Sequence, residues 1–149
     1  MTANKRAVTG KALKILYVED FAPAAALVRD TLGLRAPEIH VEIVSTVAQA
    51  IDKLNPVEEG RGAPYDVVLT DLNLPDGLGL EILSHVRRHR LMLAVLILTA
   101  SVEDEVLQAA RQAGADGYIA KRGDYLARLP GELHRAARSF RHSTSGERE

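Results

Sequence analysis

Polar residues suited to metal and phosphate chemistry stand directly after four short apolar segments of the chain. They are Glu19 and Asp20, Asp71, Thr99, and Lys121. Carboxylates brought together repel one another unless a cation separates them, and hard oxygen ligands suit Mg²⁺. A lysine and a hydroxyl beside such a cluster would neutralise and orient the oxygens of a phosphoryl group. Asp71 is the natural nucleophile of the set, because a carboxylate can form an acyl phosphate.

These residues come together only if the apolar segments are strands of one parallel sheet. Strand and helix patterns alternate five times along the chain, without a tandem repeat. Such alternation predicts an α/β fold with a five-stranded parallel sheet and helices on both faces. The carboxyl ends of all strands then lie at one edge, where open α/β sheets carry their chemistry. For Asp71 alone, a helix cap or a turn former would be the ordinary interpretation.

The boundaries of the elements follow from hydrophobic periodicity and from turn residues. Strands are predicted at residues 13–18, 39–43, 66–70, 92–98 and 117–120, the second of them at a sheet edge. Helices are predicted at residues 22–32, 46–55, 78–90, 102–113 and between 124 and 140. Gly33 is expected to stop the first helix and Gly114 the fourth. The segment 56–64 is predicted to be a polar loop.

The composition favours one compact domain. The chain has 149 residues, of which 46% are hydrophobic and 26% charged, so we expect a single domain at 13–140. Residues 1–12 are expected to form a flexible arm and residues 141–149 a polar tail. A net charge of −1 argues against direct nucleic-acid binding. The chain has no cysteine, signal peptide pattern or membrane-length apolar run, so we expect a cytoplasmic protein with no membrane partner.

The ordered combination of motifs resembles the receiver domain of two-component response regulators. The motifs are Glu19-Asp20, the segment Asp-Leu-Asn-Leu-Pro-Asp-Gly at 71–77, Leu98-Thr99-Ala100, and Gly-Ala-Asp-Gly-Tyr-Ile-Ala-Lys at 114–121. The resemblance covers about residues 13–140. It implies a flavodoxin-like fold with strand order 2-1-3-4-5. It also implies that a histidine kinase or phosphotransfer protein phosphorylates Asp71 in a reaction that needs Mg²⁺, for which Mn²⁺ is a possible substitute.

The resemblance also implies a role for each site residue. The side chains of Asp20 and Asp71 and the backbone carbonyl of Asn73 would hold the metal, and Glu19 would act on it through water. Thr99 and Lys121 would contact the phosphoryl group. Tyr118 would be the aromatic switch that turns inward when Thr99 moves. The face formed by helix four, strand five and helix five would then bind a downstream protein. A homodimer is also possible.

The chain departs from the common family pattern at two places. Glu19 stands where many members have aspartate, and this change keeps the charge. Lys121 is followed by Arg122, whereas many members have a proline there and use a cis bond to aim the lysine loop. Because a cis bond without proline is rare, we expect this loop to be built differently.

Other interpretations stay open at this point. The same fold could serve as a docking module that is never phosphorylated, or the chain could be the receiver part of a larger hybrid kinase or regulator. An aspartyl phosphatase is disfavoured, since Asn73 stands where such enzymes commonly need a second aspartate. A flavin or nucleotide module is disfavoured by the two acids after the first strand.

Single residues outside the combined motif have simpler interpretations. Tyr118 alone could be an aromatic side chain that covers the edge of the sheet, and Lys121 alone a solvated lysine. His85 and His89 have the i, i+4 spacing of a metal site, but three nearby arginines favour a solvated face.

Overall fold

The computed structural model describes residues 12–55, 64–100 and 104–147, and only the backbone at 104, 106, 107 and 141–147. The strands of the main sheet are β1 Leu13–Val18, β2 Ile39–Val44, β3 Val67–Thr70, β4 Ala94–Thr99 and β5 Gly117–Ala120. The helices are α1 Ala22–Arg35, α2 Val47–Leu54, α3 Gly79–Arg88, α4 Asp104–Gln112 and α5 Tyr125–Glu147.

The five strands form one parallel sheet in the order β2-β1-β3-β4-β5. This confirms the predicted α/β class and the strand order 2-1-3-4-5. A short antiparallel ribbon, Asn73–Leu74 with Gly77–Leu78, is added between β3 and α3. Strands β2 and β5 lie at the two edges, so the prediction of an edge position for β2 is also confirmed.

The alternation of side chains along the strands divides the core into two layers. One layer joins the sheet to α1 and α5, and its strand members include Ile15, Tyr17 and Leu69. The other joins it to α2, α3 and α4, and includes Leu16 and Val68. Because both faces are covered, β3 and β4 are buried along their whole length, which explains their continuous apolar sequences. Within the described ranges, no helix has both the length and the apolar character that crossing a membrane requires.

The end of α1 differs from the prediction. Gly33 does not stop the helix, which continues to Arg35. The residue after it, Ala36, leaves the helical conformation at φ −147° and ψ 67°. Pro37 follows Ala36, and the residue before a proline is disfavoured in the helical region. The stop signal is therefore Pro37.

Of three other boundaries, two differ from the prediction and one is confirmed. Strand β4 begins at Ala94, two residues later than predicted, because the apolar sequence starts in the turn in which the Leu93 N–H donates to the Leu91 carbonyl. Helix α5 continues through residue 147, so the predicted polar tail begins inside a helix. Helix α4 ends at Gln112, and Gly114 follows with φ +99°, which confirms Gly114 as a glycine stop. The predicted arm at 1–12 and the predicted loop at 56–64 lie outside the described residues, except for residues 12 and 64.

The predicted solvated face at His85 and His89 is wrong for His85. His85 is only 8% exposed, on the flank of α3, whereas His89 is exposed. Their rings lie 4.3 Å apart, and the Nδ1 atom of His89 is 3.0 Å from the His85 carbonyl oxygen. Burial, together with His89 and Arg88, lowers the pKa of His85, so its ring stays neutral at neutral pH.

Replacing Gly33 with alanine should stabilise the protein. Gly33 lies inside α1 and a Cβ added there would meet no heavy atom within 4 Å. Because alanine loses less backbone entropy than glycine in a helix, we expect a gain of roughly 0.5 kcal/mol in the free energy of unfolding. Urea denaturation of both proteins measures this difference. A loss of stability would contradict the helical assignment of Gly33.

Candidate functional site

Backbone hydrogen bonds fix the positions of the site residues just past the strand ends. The Glu19 N–H donates to the Val44 carbonyl at 2.9 Å, and the Asp71 N–H donates to the Val18 carbonyl at 3.0 Å. The Lys121 N–H donates to the carbonyl of Thr99 at 2.9 Å. These bonds continue the parallel ladders by one residue. The side chains that follow β1, β3 and β5 are therefore held at the same edge of the sheet, as predicted.

The ammonium group of Lys121 links two of the carboxylates. Its Nζ atom lies 2.5 Å from Oε1 of Glu19 and 3.2 Å from Oδ2 of Asp71. Burial alone would lower the pKa of Lys121, but the carboxylates of Glu19 and Asp71 outweigh burial and hold that pKa above its usual value. Lys121 is therefore positively charged, and it partly neutralises the acidic edge.

Glu19 is the most deeply placed acid of the site, with 3% exposure. Its Oε1 atom accepts hydrogen bonds from Lys121 and from the Tyr17 hydroxyl, the latter at 3.2 Å. Its Oε2 atom accepts one from the Phe21 N–H at 3.2 Å. Burial raises the pKa of Tyr17, and so does the neighbouring Glu19, so the hydroxyl keeps its proton and acts as a donor. Three donors thus orient this carboxylate.

The carboxylates of Glu19, Asp20 and Asp71 form an oxygen cluster that fits a divalent cation. One oxygen from each lies within 4.8 Å of the others. Asp20 is exposed and Asp71 is half-buried, so the cluster opens to solvent on one side. Three carboxylates with a single ammonium leave an excess of negative charge, and an all-oxygen ligand set suits Mg²⁺. The residues present therefore fit the implied metal.

The chain after β3 folds tightly around Asp71. Its Oδ1 atom accepts a hydrogen bond from the Asn73 N–H at 3.2 Å, and its carbonyl accepts one from the Thr70 hydroxyl at 2.8 Å. Gly79 begins α3 against this turn, with its N–H 2.7 Å from the Leu72 carbonyl. A Cβ at Gly79 would overlap the Asp71 carbonyl oxygen and come within 3.1 Å of Oγ1 of Thr70. The close approach of α3 to Asp71 therefore requires glycine.

Asp76 anchors the same loop to a different helix. Its two carboxylate oxygens accept hydrogen bonds from the Val47 and Ala48 N–H groups at 2.8 and 3.0 Å. These groups open α2, whose N-cap residue Thr46 accepts a third hydrogen bond, from Gln49. Both hydrogen bonds lower the pKa of Asp76, and the one from the Ala48 N–H lowers it more. The loop that carries Asp71 and Asn73 is thus tied to the N-terminus of α2.

The two predicted switch residues lie on neighbouring strands. Thr99 is the last residue of β4 and is buried, and it pairs with Ala120 of β5. Tyr118 is exposed on β5, with the guanidinium of Arg111 5.6 Å from its ring centre. In this structure the Tyr118 side chain therefore lies outside, on the face formed by α4 and β5.

The loop after Lys121 is made without a cis bond. None of the peptide bonds between described residues is cis. The Arg122 N–H donates to the Ala120 carbonyl at 2.8 Å, and Gly123 has φ +65°. A tight turn followed by a left-handed glycine thus replaces the proline that many family members have, as expected.

Sequence reasoning missed three residues that build the site. Tyr17 was an ordinary strand residue by its pattern, and Asp76 and Gly79 were only parts of a turn and a helix. Two signals were available in the sequence: a tyrosine two places before Glu19 lies on the same face of the strand, and a glycine at the start of a helix next to Asp71 indicates a close approach. Asp76 had no such signal, because its partners lie 28 and 29 residues upstream.

Comparison with known proteins identifies the family to which the chain is similar. Residues 15–129 match the family model of the response regulator receiver domain. The chemotaxis protein CheY-3 of Vibrio cholerae is 31% identical over 117 residues, which are 77% of this chain and 85% of that protein. The non-phosphorylated HemR receiver domain of Leptospira biflexa superimposes with a TM-score of 0.68 at 26% identity, over 84% of this chain and 94% of that one.

A second solved structure is similar over nearly the same share of the chain. The phosphorylated cyanobacterial phytochrome response regulator RcpA has a TM-score of 0.67 at 25% identity, over 82% of this chain and 89% of that chain. Fold and site together define a flavodoxin-like signalling domain with an acidic cluster at the carboxyl edge of its sheet. The chain belongs to the response regulator receiver domain family of two-component signalling.

Replacing Gly79 with alanine should disturb both the fold and the site. The new methyl group must displace the Asp71 carbonyl or the start of α3. We expect a loss of about 1–3 kcal/mol in the free energy of unfolding, the usual cost of overpacking. Weaker Mg²⁺ binding should accompany it, because the displaced backbone carries Asp71. Urea denaturation and calorimetric Mg²⁺ titration measure the two effects.

Gly33→Ala is the matched control, since it places the same methyl group in open space. It should leave the Mg²⁺ affinity unchanged. Equal stability of the Gly79→Ala variant and the wild type would contradict the close approach at Asp71.

Proposed function

We propose that the protein is a phosphorylatable receiver in which Asp71 accepts a phosphoryl group from a histidine kinase or phosphotransfer protein. The observation that carries this proposal is the convergence of Asp71, Glu19, Asp20 and Lys121 at one edge of the sheet. Asp71 is half-buried, so an incoming phosphoryl donor can reach it. Residues 13–140 make up the functional domain in this proposal, although α5 itself continues to Glu147.

Mg²⁺ is the cofactor of this proposal, with Mn²⁺ as a possible substitute. It would be held by the side chains of Asp20 and Asp71 and by the backbone carbonyl of Asn73, with Glu19 acting through water. When bound, the metal neutralises phosphoryl oxygens and so favours attack by a carboxylate. The reaction makes the protein a phosphoacceptor in signalling rather than an enzyme with a separate substrate.

The chain's own residues prepare Asp71 for the transfer. The Asn73 N–H holds Oδ1, and the Lys121 ammonium lies at Oδ2. As phosphorylation changes the charge at Asp71, Lys121 turns from the carboxylates toward the new phosphoryl oxygens. Thr99, at the end of β4, donates its hydroxyl to the same group. Both movements draw positive charge and a hydrogen-bond donor to an added anion.

An apolar surface next to the acidic edge supports docking of a protein donor. Phe21 is 61% exposed directly after Asp20, and Leu34 is 85% exposed on α1. Leu27 is also exposed, seven residues and two turns before Leu34, so both lie on the same side of the helix. A donor protein that covers this surface would bring its phosphorylated histidine to the open side of the cluster.

In this proposal, the face formed by α4, β5 and α5 binds the downstream partner. Tyr118 is exposed there and contacts Arg111 of α4 through its ring. When Thr99 moves toward the phosphoryl group, Tyr118 turns inward and leaves Arg111. This changes the surface presented to a downstream protein or to a second copy of the chain.

Incubation with a small phosphodonor tests the proposal directly. In the presence of Mg²⁺ the intact mass should increase by one phosphoryl group, and hydroxylamine should remove it, because the product is an acyl phosphate. The Asp71→Asn variant should show no gain while its circular dichroism spectrum and thermal unfolding remain normal. Chelation of Mg²⁺ should abolish the gain in the wild type.

Asp66→Asn serves as a matched control, since Asp66 precedes β3 at the opposite end of the strand and its carboxylate accepts a hydrogen bond from the Lys14 N–H. It should be phosphorylated as the wild type is. A folded wild type that gains no mass would refute the proposal and favour the alternative of a docking module that works without phosphorylation.

A further inference from the structure

Tyr17 makes a contact that the proposed roles of the acidic cluster do not use. It is fully buried in β1, and its hydroxyl donates to Oε1 of Glu19 at 3.2 Å. The same oxygen is 2.5 Å from Nζ of Lys121. Two donors of different kinds thus share one carboxylate oxygen: one is held by the core and the other lies at the end of a flexible chain.

The geometry of β1 explains why this hydroxyl reaches the site. Residues two apart in a strand point to the same side, so Tyr17 lies directly below Glu19. The ring of Tyr17 belongs to the core layer against α1 and α5, which prevents lateral movement. Glutamate carries one methylene group more than aspartate, so its carboxylate has more freedom. A hydroxyl fixed by the core offsets that freedom.

We propose that Tyr17 is a positioning residue for the metal site, acting through Glu19. The inference rests on the proposed function and adds a residue to it. While Lys121 contacts Glu19, Oε1 has two donors, and the Phe21 N–H donates to Oε2. When Lys121 turns to a phosphoryl group, the Tyr17 hydroxyl is the donor that stays on Oε1. With both oxygens still held, Glu19 would keep the orientation in which it acts on Mg²⁺ through water.

The variant Tyr17→Phe removes the hydroxyl and keeps the ring. Glu19 then has Lys121 as the donor on Oε1, so its carboxylate turns toward the ammonium and away from the metal site. Since loss of a group that orients a metal ligand commonly weakens binding tenfold or more, we expect the Kd for Mg²⁺ to rise about tenfold. Isothermal titration calorimetry with MgCl₂ measures this without any phosphorylation step.

Tyr65→Phe is a matched control within the same chain. Tyr65 is also buried, and its hydroxyl also donates to a glutamate oxygen, Oε1 of Glu42, at 2.7 Å. Tyr65 precedes β3, whereas Asp71 follows that strand. Tyr65 therefore lies at the amino ends of the strands, away from the acidic cluster at their carboxyl ends. Tyr65→Phe should lose thermal stability and keep the wild-type Kd for Mg²⁺. This separates positioning from a general effect of removing a buried hydroxyl.

A double-mutant cycle with Glu19→Asp tests whether Tyr17 acts through Glu19. The shorter carboxylate withdraws from the hydroxyl, so the contact is already lost in that background. In that background, Tyr17→Phe should change the Kd for Mg²⁺ by less than about twofold. If Tyr17 and Glu19 acted independently, Tyr17→Phe would change the Kd equally in both backgrounds. Equal effects of Tyr17→Phe in both backgrounds would contradict the inference.

The outcomes distinguish this inference from the proposed function. A folded Tyr17→Phe variant that binds Mg²⁺ as tightly as the wild type would overturn the role of Tyr17 alone. A wild type that binds no Mg²⁺ would overturn the proposed function and the inference with it. If Tyr17→Phe does not fold, Tyr17→Met, which also lacks the hydroxyl and fills the core, provides the same measurement.

Discussion

The structure depends on how negative charge is balanced at one edge of the sheet. Oxygens of Glu19, Asp20 and Asp71 lie within 4.8 Å of one another, and at that separation two carboxylates repel by about 3 kcal/mol at the effective dielectric near a protein surface. The ammonium of Lys121 lies between Glu19 and Asp71 and offsets part of this repulsion. The remaining charge favours a bound cation. In the proposed function, this incompletely neutralised site responds when a phosphoryl group and a metal bind.

The rest of the fold holds the acids in place despite their repulsion. Parallel ladders continue one residue past β1, β3 and β5 and fix the backbones of Glu19, Asp71 and Lys121. Below the edge, Tyr17 carries a hydroxyl from the core to Glu19. Beside it, Asp76 ties the loop after Asp71 to α2. The stability of both core layers thus maintains a charge arrangement that would be unfavourable on its own.

The sequence predicts the parts of this arrangement that follow from periodicity and topology. Buried apolar runs that end at Glu19, Asp71 and Lys121 are sufficient to place these residues at one edge once the strands are parallel. Contacts that depend on exact side-chain reach are harder to predict. The position of Tyr17 two places before Glu19 is a signal, but a buried tyrosine in a strand is usually only a core residue. The partners of Asp76 lie far upstream, so its contacts had no signal in the sequence. Gly33 failed as a stop signal because Pro37 ends α1, and His85 is buried although the arginines around it predict a solvated face.

In the proposed function, Lys121 and a divalent cation neutralise the same carboxylates. Thermal unfolding of Lys121→Met tests this most directly. Without Mg²⁺, in the presence of a chelator, the variant should unfold at a lower temperature than the wild type, because the carboxylates lose their cation. With Mg²⁺ it should gain more stability than the wild type does, because metal binding no longer competes with the ammonium. Equal gains in the two proteins, or no gain in either, would contradict the account.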